Sequence, residues 1–301
     1  MKPTYAPELA ELQPFTQKSD WRGAWCVLCQ WGLTLLIFWT MASWPNWLTI
    51  PLGVVLLGGR QLGFFVLTHE MGHRTLFKTQ WLNDFAGTWL TSPMDYTNGR
   101  AYMREHLMHH QSVGSETLDP DIQNYRDYPI ARARLKRKLK RDLTGQTGWR
   151  NLSAKYRALC RLGEQTSEDR AALLRGLAVN LLMLGIMVMV GQAWLYLAWL
   201  AAQLFVYPAI VRIRQIAEHA AVPKLDGPDA NLNTRTTRSH PLARLIICPH
   251  QVNYHVEHHL LASIPIYRLG AAHRYLKQRG YYDEVPETPG YATMLRSVTV
   301  A

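Results

Sequence analysis

Cysteine is scarce: 301 residues hold four, Cys26, Cys29, Cys160 and Cys248. That is too few and too scattered for the disulfide framework of a small secreted domain. Cys26 and Cys29 have redox spacing, but they fall in an apolar stretch with no strand beside them and read as packing. The first 20 residues are polar and hold Pro3, Pro7 and Pro14, without the apolar core and cleavage site of a signal peptide. Charge is also missing, from four long stretches at about 25–43, 47–68, 176–190 and 192–211, where Arg60 is the one exception. A bilayer core about 30 Å thick takes roughly 20 apolar residues in a helix. The expectation is four transmembrane spans. Arg60 should turn inward, toward the active-site side of the bundle, or snorkel.

What is plentiful is positive charge. The net charge is +11, with 18 Lys/Arg between His69 and Arg175, 11 between Arg212 and Ala301, and four elsewhere. By the positive-inside rule residues 69–175 and 212–301 are cytoplasmic. Two helical hairpins satisfy this, turning at Pro45-Asn46 and Gly191-Gln192, and both termini then share the cytoplasmic side. With four spans the basic excess points to anionic lipid headgroups or an acidic protein partner rather than nucleic acid. Residues 132–141 (RARLKRKLKR) set Leu135 and Leu139 at i, i+4 under a basic face, as for a helix on an anionic surface or a solvated linker helix. Residues 82–90 are apolar but too short to span, which suits a re-entrant or interfacial helix. The expected fold is all-α, a single domain over residues 1–301 with a cytoplasmic helical cap over the spans.

Histidine carries the chemistry. His69 and His73 stand at i, i+4, His106, His109 and His110 at i, i+3, i+4, and His255, His258 and His259 repeat that spacing. Each set falls on one helical face. Eight unmetallated imidazoles packed together would repel when protonated, whereas neutral imidazole is a strong metal ligand. Eight without cysteine exceed one zinc and suit two borderline ions such as iron. Glu70, Glu105, Glu218 and Glu257 each adjoin a histidine but point about 100° away, so they read as partners that hold an imidazole, with Asp119, Asp121 and Asn253 as equals. His240, His250 and His273 lack the spacing and read as structural or surface residues.

The order H-x-x-x-H, H-x-x-H-H, H-x-x-H-H, interleaved with two apolar hairpins, resembles the integral membrane fatty-acid desaturase and hydroxylase superfamily. HEMGH, HLMHH and NYHVEHH carry the resemblance, with LDPDI and RDLTGQTGW in support. It implies a non-haem di-iron centre that uses O2, with His219 in RIRQIAEH as a ninth ligand. Some members hold a water-bridging Asn four residues before that His; this chain departs from them with Gln215. It also implies a fatty-acyl substrate lying in a narrow apolar tunnel among the spans. Electrons would come from a separate protein of the ferredoxin, rubredoxin or cytochrome b5 type, since the chain has no haem motif of its own, and residues 132–141 are the candidate dock. A hydroxylase or carotenoid-type oxygenase shares these boxes. His69-Glu70-x-x-His73 also matches the zinc-protease motif, which leaves the other patterned histidines unexplained.

Overall fold

A computed structural model describes residues 7–227 and 229–301. The first six residues of the polar lead-in, Pro3 among them, and Pro228 lie outside the described residues. The chain is all-α. Its β structure among the described residues is a parallel pair of two-residue strands, Ile130–Ala131 with Thr299–Val300, and a bridge between Thr237 and Thr288.

Along the chain the helices follow from local signals. Helix α1 (Asp20–Ser43) starts where Ser19 Oγ accepts the Arg22 N–H. The turn after it is set by Asn46, whose Oδ1 accepts from the Leu48 and Thr49 N–H groups at 2.9 and 3.0 Å and so caps α2 (Thr49–Gly72). Helix α3 (Gln80–Ala86) continues into a π-helical turn, Gly87–Thr91, and exposes Trp81, Phe85 and Trp89 at i, i+4, i+8. Residues 82–90, expected to be too short to span, are helical here and expose part of that aromatic face. Asn98 caps α4 (Gly99–Ser112), and the basic run becomes α5 (Arg132–Leu143), followed by α6 (Gln146–Cys160). Thr166 caps α7 (Ser167–Met189), and Gly191 ends it at φ +70°, where Gln192 N–H reaches back to Met187 C=O at 2.7 Å. Helix α8 (Trp194–His219) contains a second π-helical turn, Ala202–Val206. Helices α9 (His255–Leu260) and α10 (Ile266–Gln278) complete the set used below.

Helices α1, α2, α7 and α8 are each long and apolar enough to cross a membrane. They overrun the apolar stretches: α7 begins at Ser167 rather than near 176, and α8 runs to His219 rather than 211. The backbone hydrogen-bond ladder does not stop where hydropathy falls. It stops at a cap or at a residue that cannot continue it. These overruns carry the chemistry, because His69 and His219 sit near the C-terminal ends of α2 and α8. Trp199 of α8 is fully buried, with its ring 6.2 Å from Phe38 of α1 and 6.3 Å from Phe64 of α2. Trp21, Trp25, Trp39, Leu181 and Leu182 remain exposed, a surface suited to lipid. Arg60 turns inward as expected, though not toward the histidines. Its guanidinium donates to Gln30 Oε1 (3.2 Å) and the Leu245 carbonyl (2.7 Å). Cys26 and Cys29 are free thiols on α1, with no disulfide between them.

Candidate metal centre

The nine histidines marked in the sequence come together as two groups. His69, His73, His106, His110 and His258 form one, and His109, His219, His255 and His259 form the other. Within each group the ligand-type atoms lie within 4.8 Å of one another. Both groups are drawn from α4 and α9, used in opposite senses. From α4 the i, i+4 pair His106 and His110 enters the first group and His109 the second. From α9 the pair His255 and His259 enters the second group and His258 the first. One short spacing thus serves two sites, because a step of three and a step of four leave the helix on opposite sides of its stripe.

The nitrogens converge closely. His69 Nε2 and His106 Nε2 are 2.7 Å apart, His106 and His110 Nε2 2.9 Å, and His110 and His258 Nε2 3.0 Å. In the second group His219 Nε2 lies 3.1 Å from His109 Nε2 and 2.9 Å from His255 Nε2. Outer partners decide where the protons sit. His219 Nδ1 lies 3.1 Å from the Asn233 carbonyl, which can only accept, so that proton is on Nδ1. His109 Nδ1 donates to Asp119 Oδ1 at 2.9 Å. The 3.1 Å contact between the two Nε2 atoms therefore brings together two lone pairs, which repel unless a cation lies between them. Neighbouring nitrogens bound to one ion at ~2.1 Å stand about 3 Å apart, which fits these distances. His73 Nε2 and His259 Nε2 are buried without a hydrogen-bond partner. The residues present therefore fit metal ions, as an all-nitrogen donor set of borderline softness.

Burial favours the neutral imidazole in six of these residues. Outside the spans it pushes His73 down to about 4 and, with repulsion from His73 and His109, His110 down to about 3. His106, His255, His258 and His259 are pushed well below the ordinary range, first by burial and then by neighbouring imidazoles. Burial would raise the Asp119 carboxyl, but the hydrogen bonds from His109 and Tyr125 outweigh it and hold the group below its usual value.

Of the proposed outer partners, Asp119 holds an imidazole directly, and it also accepts from the Asp121 and Gly114 N–H groups and from the Tyr125 hydroxyl. Glu70 Oε1 is 3.6 Å from His69 Nδ1, while its Oε2 accepts from Thr75 Oγ1 (2.9 Å) and the Ile266 N–H (3.0 Å). With Glu70 so engaged and three more histidines beside His69 and His73, the geometry lends no support to a zinc-protease reading. Glu218 Oε1 is 3.6 Å from His255 Nδ1 and takes the Arg214 Nε–H at 2.6 Å. Other proposed partners are engaged elsewhere. Glu257 holds none of the nine imidazoles; it accepts from Thr236 Oγ1 (2.7 Å), His273 Nδ1 (2.6 Å) and the Tyr282 hydroxyl, and so braces α9 against α10. Asn253 bonds the Thr237 backbone through its Nδ2 (3.0 Å), not an imidazole. Gln215 bonds no imidazole but lines the cavity beside His109, His219 and His255. Glu105 is exposed. His250 and His273 have structural contacts, with Gln30 and Glu257, and His240 is exposed at the start of a short helix. Sequence reasoning missed Tyr125, the Asn233 carbonyl and Tyr102, which stacks on His106 at 5.5 Å. No fixed spacing links any of them to a histidine box, and the one cue was Tyr102, one turn before His106.

A cavity of about 440 Å³ touches both groups, through His106 on one side and His109, His219 and His255 on the other. It is not the apolar tunnel that the resemblance implies. Phe65, Tyr102, Tyr207 and Val211 share its wall with Asp95, Lys155, Gln203 and Asp121.

Four helices long and apolar enough to span a membrane, two of which end in a buried imidazole site, define an integral membrane protein with a centre compatible with metal. The chain belongs to the fatty acid desaturase family, whose model matches residues 45–291. Among curated relatives, an sn-1 oleoyl-lipid 12-desaturase of Synechocystis sp. is 24% identical over 254 residues, 77% of this chain and 69% of the relative. The dihydrorhizobitoxine desaturase of Bradyrhizobium elkanii is 25% identical over 268 residues, 84% of this chain and 72% of the relative. An sn-1 acyl-lipid omega-3 desaturase (ferredoxin) of Nostoc sp. is 28% identical over 105 residues, 33% of this chain and 29% of the relative.

Proposed function

We propose that this protein is an oxygen-dependent di-iron desaturase that introduces a double bond into the alkyl chain of a fatty-acyl lipid. One domain over residues 1–301 would carry the activity, with both termini and the active site on the cytoplasmic side. The observation that supports it most is the facing of two closely packed imidazole groups across α4 and α9. His69, His73, His106, His110 and His258 would hold one iron, and His109, His219, His255 and His259 the other. Two irons would supply the oxygen activation and electron storage needed to remove hydrogen from an unactivated carbon.

The chain's own residues do the rest. The Asp119 carboxylate and the Asn233 carbonyl each hold an Nδ1 proton, which aims the Nε2 lone pairs of His109 and His219 inward. Burial disfavours the protonated form of His73, His106, His110, His255, His258 and His259. The cavity touches both groups, so a chain lying in it passes His106 on one wall and His219 on another. Electrons would arrive from a separate carrier of the ferredoxin, rubredoxin or cytochrome b5 type, in keeping with the ferredoxin in the name of the Nostoc relative. The concentration of Lys/Arg in residues 69–175 and 212–301 supports the cytoplasmic placement.

The test is metal content of detergent-purified protein, wild type beside His109→Ala, grown without added zinc. We expect two irons per chain in the wild type and loss of iron in the variant. A single zinc per chain, untouched by the substitution, would overturn the proposal. Lipid products then separate the desaturase, which leaves an alkene, from a hydroxylase or carotenoid-type oxygenase, which leaves an oxygenated product.

A further inference from the structure

The backbone between Thr237 and Asn253 makes a closed excursion. At its neck the Thr237 N–H donates to the Asn253 carbonyl at 3.2 Å, and Asn253 Nδ2 returns to the Thr237 carbonyl at 3.0 Å. The chain leaves through a short helix, Pro241–Ile246, and turns back at His250 and Gln251, whose φ values of +56° and +66° are left-handed. His255, the first histidine of the third box, follows two residues after the neck.

The far end of this loop lies deep against the spans. A Cβ built on Gly59 of α2 would stand 2.5 Å from the Leu245 carbonyl oxygen and 2.8 Å from Ile246 Cα, so backbone meets backbone there. The neighbouring Arg60 donates to that same Leu245 carbonyl at 2.7 Å, and His250 Nε2 lies 3.1 Å from Gln30 Oε1 on α1. Arg60 is twelve residues from Gly72 and Gln30 ten from Asp20, roughly 18 and 15 Å along helices about 36 Å long at ~1.5 Å per residue. However a core about 30 Å thick is set along these helices, both contacts fall about 9 Å or more inside it.

Backbone at that depth has no water to bond and is tolerated only where protein satisfies it. Arg60 does this for Leu245, which explains a cation in the middle of α2 that is 3% exposed and turned away from the histidines. Ala243, Cys248 and Val252 share a core with Leu62 and Val66 of α2. The leucines of the short helix are left bare, Leu242 at 54% and Leu245 at 39% exposure. Arg244 is the one Lys, Arg, Asp or Glu from Ser239 to Val256, and its Nε–H turns back to Ser239 Oγ at 3.2 Å. Apolar side chains left bare at this depth meet acyl chains rather than water.

We propose that residues 238–252 re-enter the bilayer from the side of the histidine centre, seat Leu242 and Leu245 among lipid acyl chains, and so anchor α9 at the membrane face. The re-entry requires α1 and α2 to cross the bilayer and is indifferent to the reaction that the centre performs.

Two measurements on the iron-loaded protein, reconstituted in phosphatidylcholine–phosphatidylglycerol liposomes, test it. The first is photo-cross-linking by a phospholipid with a diazirine midway along its acyl chain, with adducts located by mass spectrometry. Leu242 and Leu245 should carry adducts as Leu181 and Leu182 of α7 do, and Lys136 of α5 none. In parallel, a membrane-impermeant maleimide should label Lys136→Cys and spare Leu242→Cys and Leu245→Cys. Maleimide labelling of both loop positions without lipid adducts would place the loop in water and overturn the proposal. Protection from both reagents would also overturn it, because a second copy or another protein then covers the leucines. The second measurement is amide hydrogen exchange in Leu242→Asp combined with Leu245→Asp, where charge at depth should expel the loop. Exchange in residues 255–260 should speed about tenfold while α1 and α2 keep wild-type protection. Unchanged exchange there, in a variant whose loop no longer cross-links to lipid, would sink the anchoring role.

Discussion

His109 Nδ1 stands 2.9 Å from the Asp119 carboxylate, with both side chains buried, at 3% and 0% exposure. The pair fixes the tautomer of an imidazole whose other nitrogen faces His219 at 3.1 Å. Removing the charge while keeping the shape isolates that effect. Asp119→Asn should weaken iron binding by about 10- to 100-fold, read by chelator competition, with little change in helical content. Unchanged iron affinity would show that the carboxylate serves only the turn around Gly114 and Tyr125.

Acid should unfold the metal-free protein early. An unfolded imidazole titrates near 6.5, whereas His73 and His110 in the folded chain sit at about 4 and about 3. Between those values the unfolded state binds more protons, so stability is full above pH ~6.5 and falls as pH drops through that window. Thermal melts of chelated protein across this range check it. A melting temperature that is flat or rises on acidification contradicts the buried, neutral imidazoles.

Gly148 lets α6 approach the π-helical turn of α8. A Cβ built on it would sit 2.2 Å from the Leu204 carbonyl oxygen, a backbone atom with no room to retreat. Gly148→Ala should destabilise the protein by about 1–3 kcal/mol through overpacking. Gly185→Ala, where no atom lies within 4 Å, is the control and should be near neutral. Equal melting temperatures for the two variants would refute the tight contact.

Helix α5 buries Leu135 and turns Lys136, Arg137 and Lys140 outward, while its buried Asp142 grips Arg212 of α8 and accepts from Thr147 Oγ1 at 2.6 Å. If this basic face docks an acidic electron carrier, reversing those three charges to Glu should raise the carrier's KM about tenfold at low salt. The difference should shrink as salt screens the attraction, with kcat preserved. An unchanged KM would place the dock elsewhere.

Much of this was legible in the amino-acid order. Missing charge over four stretches marked the four long helices, because a bilayer permits little else. The i, i+3, i+4 spacing marked the histidines, because a helical stripe is local geometry. Helix ends were harder. The capping at Ser19 and Thr166 and the overrun of α8 to His219 depend on backbone hydrogen bonds that hydropathy does not record. Glu257 shows the same limit. Its place beside His258 suggested an imidazole partner, yet Thr236, His273 and Tyr282 claim its carboxylate.

Sequence by itself determined the helical, membrane-spanning class and the chemical type of the centre, since both rest on composition and on spacing within single helices. Tertiary structure alone decided how nine histidines divide into five and four and which protons Asp119 and Asn233 fix. These depend on the packing of α4 and α9 against the ends of α2 and α8. Contacts as distant as His110 with His258, 148 positions apart, set that geometry, and the nearer ones, His109 with Asp119 and His219 with Asn233, follow no local pattern either.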